Sequence, residues 1–318
     1  MTNLTAITGF FLMEISDSRE LQVSLALLFL LIYVASLLGN LLIIILVTLD
    51  HCLHTPMYFF LRNLSFLDAC LISVTVPKFV LDSLSHTSLI SFPGCLLQVL
   101  FVVHFVTCEL FILTAMSYDR YAAICHPLHY DIMMSRAMCV KMAAASWVFG
   151  SIFGVLYSAG TFPLSFCGPR NLPQFFCDVP SLLKISCSEI HTAIDVSVAF
   201  GVIYGLFCTG YIGYTYVSIF NIVLRMPSLQ GRSKAFSTCL PHLTVVMTFL
   251  LTVITAYLKP VPDSPHLVDF LVSVFYAVLP PFLNPVIYSL RNKEIKAAVG
   301  KFVWKLYMIL QENNRSSI

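Results

Sequence analysis

Hydrophobic residues gather in seven long stretches with polar residues collected at their ends, near 22–49, 57–83, 95–121, 139–162, 194–224, 235–258 and 269–290. An α-helix needs roughly twenty mostly apolar residues to cross a hydrocarbon core about 30 Å thick. The pattern therefore predicts seven membrane-spanning helices. Residues 22–49, 196–224, 235–258 and 270–290 contain no Asp, Glu, Lys or Arg, while the second and third stretches carry acids within the span. Composition excludes a soluble globule: the 318 residues are 58% hydrophobic and only 11% charged, with mean hydropathy +0.87. The expected architecture is an all-α membrane protein, one seven-helix domain over 1–318. It has an outer tail (1–21), helices and loops (22–290), and an inner tail (291–318) carrying a short amphipathic helix.

Basic residues collect on the cytoplasmic side of membrane proteins. With the N-terminus outside, Arg62, Arg120, Arg136, Lys141, Arg225, Arg232, Lys234, Arg291, Lys293, Lys296, Lys301, Lys305 and Arg315 fall inside. Arg19, Lys78, Arg170, Lys184 and Lys259 fall outside, so the expected orientation is N-out, C-in. The first twenty residues lack the basic, apolar and small-residue series of a cleaved signal, which leaves the first helix as the expected anchor. Asn3-Leu4-Thr5 is a glycosylation sequon on the outer tail, whereas Asn63-Leu64-Ser65 and Asn314-Arg315-Ser316 fall inside; Asn3 is the expected acceptor. Of eleven cysteines, Cys95, Cys167, Cys177 and Cys187 fall on the oxidising side. Three pairings are open to them, and a bridge from Cys95 to the loop after the fourth helix pins that loop over the bundle mouth. None has zinc-site spacing.

Polar residues inside a membrane are costly and mark function by default. Arg120 follows Glu109 by eleven residues, which returns to within about 20° of the same helix face. Glu109 then lies about 16 Å from the cytoplasmic end of its helix, and Asp68 reaches about the same depth in the second. Asn40 and Asn284 come near that level, predicting a polar network across four helices. Two carboxylates in a low dielectric need a cation or a shared proton. A bound sodium ion at Asp68 and Glu109 is one reading, a neutral hydrogen-bonded pair a second, and a catalytic carboxylate dyad, for which no soluble domain presents a substrate, a third. Apart from that ion, no cofactor is expected. Asp119 and Arg120, where the third stretch meets the cytoplasm, read either as a helix-end ion pair or as a releasable switch. Asn284-Pro285-Val-Ile-Tyr288 places a proline inside a helix, which allows a kink.

These residues carry a resemblance over essentially the whole chain. Gly39-Asn40, Pro56-Met-Tyr-Phe-Phe-Leu61 with Leu64-Ser-Phe-Leu-Asp68, and Met116-Ser-Tyr-Asp-Arg-Tyr-Ala-Ala-Ile-Cys-His-Pro-Leu-His-Tyr130 form the first part of it. Lys234-Ala-Phe-Ser-Thr-Cys239 with His242-Leu-Thr-Val-Val246, and Pro281-Phe-Leu-Asn-Pro-Val-Ile-Tyr-Ser-Leu-Arg-Asn292, complete it. The chain resembles the olfactory receptors among the rhodopsin-like (class A) G-protein-coupled receptors. The resemblance implies bridges Cys95–Cys177 and Cys167–Cys187 and a sodium-type site at Asp68 and Glu109. It also implies a switch and coupling set of Asp119, Arg120, Tyr121, Tyr216, Asn284, Pro285 and Tyr288. Its further implications are odorant-driven coupling to a heterotrimeric, stimulatory G protein of the olfactory type, a rise in cyclic AMP, and residence in the plasma membrane. The sequence departs from the family where Leu250-Leu251 stands for a usual Tyr-Gly, and where Thr215-Tyr216 stands for Ser-Tyr.

Helical geometry places a ligand cavity in the outer half. Val102 precedes Arg120 by eighteen residues, five full turns, so Val102 and Val106 share its inward face, flanked by Val103, Thr107 and Leu110. The sixth helix offers Leu250, Val253, Ile254 and Tyr257, and the fifth Phe200 and Tyr204. Such a lining suits a small, mostly hydrophobic molecule; ordinary helix packing is the alternative for each position. His104 reads as an interhelical histidine or a copper ligand. An amine receptor of the usual kind needs an acid on the outer third helix, and there is none between Cys95 and Cys108. A transporter predicts a repeated fold, and an enzyme needs a nucleophile with its base or a metal cluster; neither stands out. The remaining alternative is a class A receptor for a non-volatile, lipid-like small molecule coupled to another G protein. After Arg291, lysines at 293, 296, 301 and 305 oppose Ile295, Val299, Phe302 and Leu306, an amphipathic pattern suited to an anionic leaflet.

Overall fold

In a computed structural model of the chain, the described residues are 9–13, 18–85, 87–167, 170–188, 191–258 and 267–316. For Tyr257, Arg291, Lys293, Lys305 and Leu306 only the backbone is described, and Asn3 and Lys259 lie outside these residues. The elements are β1 (Gly9–Phe11), α1 (Arg19–Leu49), α2 (Pro56–Ser85), β2 (Leu89–Ser91), α3 (Phe92–Cys125), α4 (Tyr130–Met133), α5 (Arg136–Thr161) and α6 (Val179–Lys184). They continue with α7 (Thr192–Arg225), α8 (Leu229–Leu258), α9 (Leu267–Ala277), α10 (Leu279–Arg291) and α11 (Lys293–Ser316).

Among the described residues six helices, α1, α2, α3, α5, α7 and α8, are long and apolar enough to span a bilayer, and α9 with α10 forms a bent seventh span. Each begins before its predicted apolar stretch, while α1 and α8 end where predicted and α5 ends just short. The bend in the seventh span measures 49° and falls at Val278, not at Pro285. Pro280 and Pro281 have no N–H for the carbonyls of Tyr276 and Ala277, so the helix breaks there. Pro285 stays inside α10. The carbonyl that Pro285 deprives of its donor is that of Pro281, and α1 supplies the missing hydrogens. Ser36 Oγ donates to it at 2.8 Å and Asn40 Nδ2 at 2.9 Å. Gly39 makes this approach feasible: a Cβ there would stand 3.1 Å from the Pro285 ring.

The bundle is built around α2 and α3, each with 56% of its apolar span buried, whereas α7 at 17% lies on the lipid-facing side. Close packing of α5 on α3 depends on Gly150, where a Cβ would stand 2.4 Å from Cys108 Sγ.

Two strands, absent from the sequence reading, close one end. β1 pairs antiparallel with β2, Gly9 opposite Ser91 and Phe11 opposite Leu89. Phe11 N–H also donates to the Arg170 carbonyl, and Leu172 N–H to that of Phe11, both at 2.8 Å. Phe10 is fully buried against Phe166 and Phe92. This lid is fastened by the bridges Cys95–Cys177 and Cys167–Cys187, which resolves the pairings that the cysteine positions left open.

Candidate functional site

At the lid end, Val99, Val102 and Val103 of α3 face Val272, Ser273 and Tyr276 of α9 across a narrow crevice. Gln174, Phe176 and Asp178 from the lid roof it. Gln98 ties the roof down, accepting from Cys177 N–H at 2.8 Å and donating to the Val74 carbonyl at 2.9 Å. Asp178 caps α6 by accepting from Ser181 N–H at 3.3 Å. Burial pushes its carboxyl up to about 6, against the lowering effect of the Ser181 hydrogen bonds.

The structure divides the predicted cavity residues. Val102 is buried and Val103 half-buried in the crevice. Val106, Leu110, Leu250 and Val253 pack on the main core. Thr107 is half-buried beside Tyr204, whose hydroxyl donates to the Thr107 carbonyl at 3.0 Å. Phe200 and Ile254 do not line the interior: they are 56% and 49% exposed on the lipid-facing surface. The sequence alone set no rotation for α7 and α8, and the phase assumed for them placed these two residues inward. The side chain of Tyr257 lies outside the described residues. Val99 and the α9 residues were missed. The i, i+4 spacing of Val272 and Tyr276 was a signal for them, but the bend at Val278 that turns α9 was not apparent.

His104 is an interhelical histidine. It sits between Trp147 and Phe105, with Ser151 Oγ 3.5 Å from Nδ1 and Cys108 Sγ 3.7 Å from Nε2.

In the middle layer Asn284 Nδ2 donates to both oxygens of Asp68, at 3.1 and 3.0 Å. Glu109 is fully buried. Among the described residues neither of its carboxyl oxygens has a hydrogen-bond partner, nor have Asn284 Oδ1, Asn40 Oδ1 and the Tyr288 hydroxyl. The expected four-helix network is thus two separate links, α1 to α10 through Asn40 and α2 to α10 through Asp68, with Glu109 of α3 outside both. A buried polar atom without a partner is expensive. Hard oxygen acceptors of this kind have the chemistry to take a small cation or a shared proton.

At the far end of α3, Arg120 pairs with fully buried Asp119, donating through Nε at 2.9 Å and through Nη2. Tyr130 of α4 donates to the other Asp119 oxygen at 2.7 Å. Its hydroxyl holds the acid from a third direction, a role the sequence did not assign. Tyr121 pairs with His126 at 3.0 Å. Tyr216 of α7 lies 2.6 Å from His242 Nδ1 of α8, and His242 Nε2 lies 3.0 Å from the Leu113 carbonyl of α3. One buried imidazole therefore joins three helices. His242 stood within a recognised motif, but only packing reveals its partners.

The amphipathic tail is a 24-residue helix, α11, longer than expected. Asn292 caps it, accepting from the N–H groups of Glu294 and Ile295 at 2.9 and 3.1 Å. Ile295 and Ala298 are buried, Val299 and Phe302 pack on the core, and Lys301 pairs with Asp50 at 3.3 Å.

Comparison with known proteins places these features. A family model described as Olfactory receptor matches residues 29–305. The human Olfactory receptor 14A2 is 52% identical over 307 residues, covering 96% of this chain and 98% of that protein. The human Olfactory receptor 14K1 is 55% identical over 306 residues, with the same coverage. Among solved structures, squid rhodopsin aligns with TM-score 0.67 at 18% identity, over 92% of this chain and 88% of that one, a likeness of fold. A lidded seven-span bundle with an acid–arginine pair at one end of its central helix, matched across nearly its whole length, belongs to the olfactory receptor family: a multi-pass membrane receptor of the rhodopsin-like class, not an enzyme.

Proposed function

We propose that this receptor binds small, mostly apolar odorants at the lid end of the bundle and activates a stimulatory, olfactory-type G protein at the other, raising cyclic AMP. One observation supports this above the rest. α3 lines the valine-rich crevice at one end and carries the Asp119–Arg120 pair at the other, so one rigid element couples a ligand to a switch. Ligand contacts with Val102 and Val103 favour a packing in which Arg120 leaves Asp119 and Tyr130, and α8 swings outward. That swing breaks the Tyr216–His242 and His242–Leu113 hydrogen bonds, each worth about 1 kcal/mol net. A ligand with modest preference for the open packing is enough to shift the population. Val106, Thr107, Leu110, Tyr204, Leu250 and Val253 transmit the change as second-layer packing, and Tyr288, with its buried free hydroxyl, is available to bond a rearranged Arg120 or Tyr216.

The lid faces the exterior in this proposal, since thirteen of the eighteen basic residues then lie inside and both disulfides form in an oxidising space. Glu109 and Asp68, with Asn284 Oδ1, hold a sodium ion that offsets one buried negative charge, the second acid staying protonated.

The test is cyclic AMP recorded in cells carrying an olfactory-type G protein against a broad panel of volatile molecules. A dose-dependent response is expected for the wild type, with none for Arg120→Ala at equal surface level. A response that survives in the variant removes the switch assignment. An N-terminal tag reached by antibody on unpermeabilised cells checks the orientation.

A further inference from the structure

Phe200, turned out of the bundle, leads to a second cavity. It lies between α3, α5 and α7 on the lipid-facing side, with a volume of about 610 Å³. Its walls are flat and aromatic: Phe111 stacks on Phe149 with centroids 5.7 Å apart, and Phe207 stacks on Tyr211 at 6.4 Å. No lining residue carries a charge. Polar character is concentrated at the Asp119 end, where the rings of Tyr118 and Tyr211 come within 6.5 Å of each other. Among the described residues neither tyrosine hydroxyl has a hydrogen-bond partner, although Tyr204 in the same wall spends its hydroxyl on Thr107.

The dimensions restrict what fills this cavity. Along α7 the lining runs from Phe200 to Tyr211, about 16 Å at 1.5 Å per residue. That is close to half of a hydrocarbon core about 30 Å thick, so the cavity holds one molecule from one leaflet. A phospholipid would bring a phosphate to the polar end, where no lysine or arginine lines the wall to receive it. Its flexible chain would also lose rotational freedom against rigid rings. A flat, fused-ring molecule with one hydroxyl matches both the walls and the pair of free hydroxyls.

We propose that the α3–α5–α7 cavity is a sterol site, with the sterol hydroxyl between Tyr118 and Tyr211 and its rings against Phe111 and Phe207. A sterol there bridges α3 to α7, the least buried helix of the bundle, and limits their separation. The site rests only on the membrane fold and is independent of the odorant.

The experiment uses the purified full-length receptor in phosphatidylcholine nanodiscs, irradiated with a photoreactive, alkyne-tagged cholesterol and mapped by mass spectrometry. Adducts are expected on residues 111–118 and 200–211, displaced by untagged cholesterol. Ile203→Trp, at a position 62% exposed to lipid, fills the cavity without disturbing the core and removes these adducts. Tyr118→Phe with Tyr211→Phe raises the cholesterol needed for displacement about tenfold, the loss of two hydrogen bonds. The proposal is overturned by adducts spread evenly over the lipid-facing helices. It is equally overturned by labelling unchanged in a monodisperse Ile203→Trp receptor, or by a photoreactive phospholipid that labels the cavity and resists displacement by cholesterol.

Discussion

The two ends of α3 are held by different kinds of force. At the lid end the chain is fixed by two covalent bridges, a strand pair and the two-way amide of Gln98, around an apolar crevice. At the Arg120 end no disulfide is found among the described residues. Asp119 is held by Arg120 and Tyr130, and α7, α8 and α3 meet through one histidine. Backbone ladders and disulfides do not exchange partners on a signalling timescale, whereas side-chain bonds worth about 1 kcal/mol each do. The molecule thus combines a firmly held end with an adjustable one, and the orphaned acceptors of the middle layer lie between them.

The contrast is broken most severely by removing the Cys95–Cys177 bridge. Cys95→Ser is expected to cost about 2–5 kcal/mol and to remove most receptor from the surface, read by flow cytometry; normal surface level and ligand response would mean that the strand pair, Gln98 and the second bridge hold the lid without it. Next comes the middle layer. Asp68→Asn with Glu109→Gln removes both charges, and sodium should then no longer shift the agonist dose-response curve. A sodium response equal to wild type would leave the acids as structural groups. A smaller effect is expected at the Arg120 end, where Tyr130→Phe takes one hydrogen bond from Asp119 and raises ligand-independent cyclic AMP about fivefold. Unchanged basal signalling would show that Tyr130 does not restrain the pair.

The smallest effect concerns Asp178. Its carboxyl titrates near 6 in the folded lid, above the ordinary 3.8, so the folded state binds more protons than the unfolded one between those values. Stability therefore falls as pH rises through that window. Asp178→Asn keeps the cap on α6 and removes this slope. Melting temperatures at pH 4.5 and 7 should draw together by about 2 °C or less, and a slope identical to wild type would assign the titration to another group.

Sequence reading and structure agree where one helix decides the outcome and diverge where two must meet. The seven spans were legible because each must satisfy its backbone internally in lipid, which makes hydrophobic length diagnostic. Glu109 and Arg120 were placed on one face because both lie on α3, where 3.6 residues per turn sets their relation. The same reasoning failed for Phe200 and Ile254, whose helices have apolar residues on every side. In a bilayer a lipid-facing phenylalanine and a cavity-facing one look alike, since lipid tails are as apolar as the core.

The chain's own pattern of apolar runs, basic residues and motif residues therefore determined its class, its span count and the acid–arginine pair, because membrane solvation acts on each segment separately. The tertiary structure alone decided which faces turn inward. It also decided the strands of the lid, the bend at Val278 and the joining of Tyr216, His242 and Leu113. Those outcomes depend on distances between segments far apart in the chain, and packing rather than local solvation sets such distances.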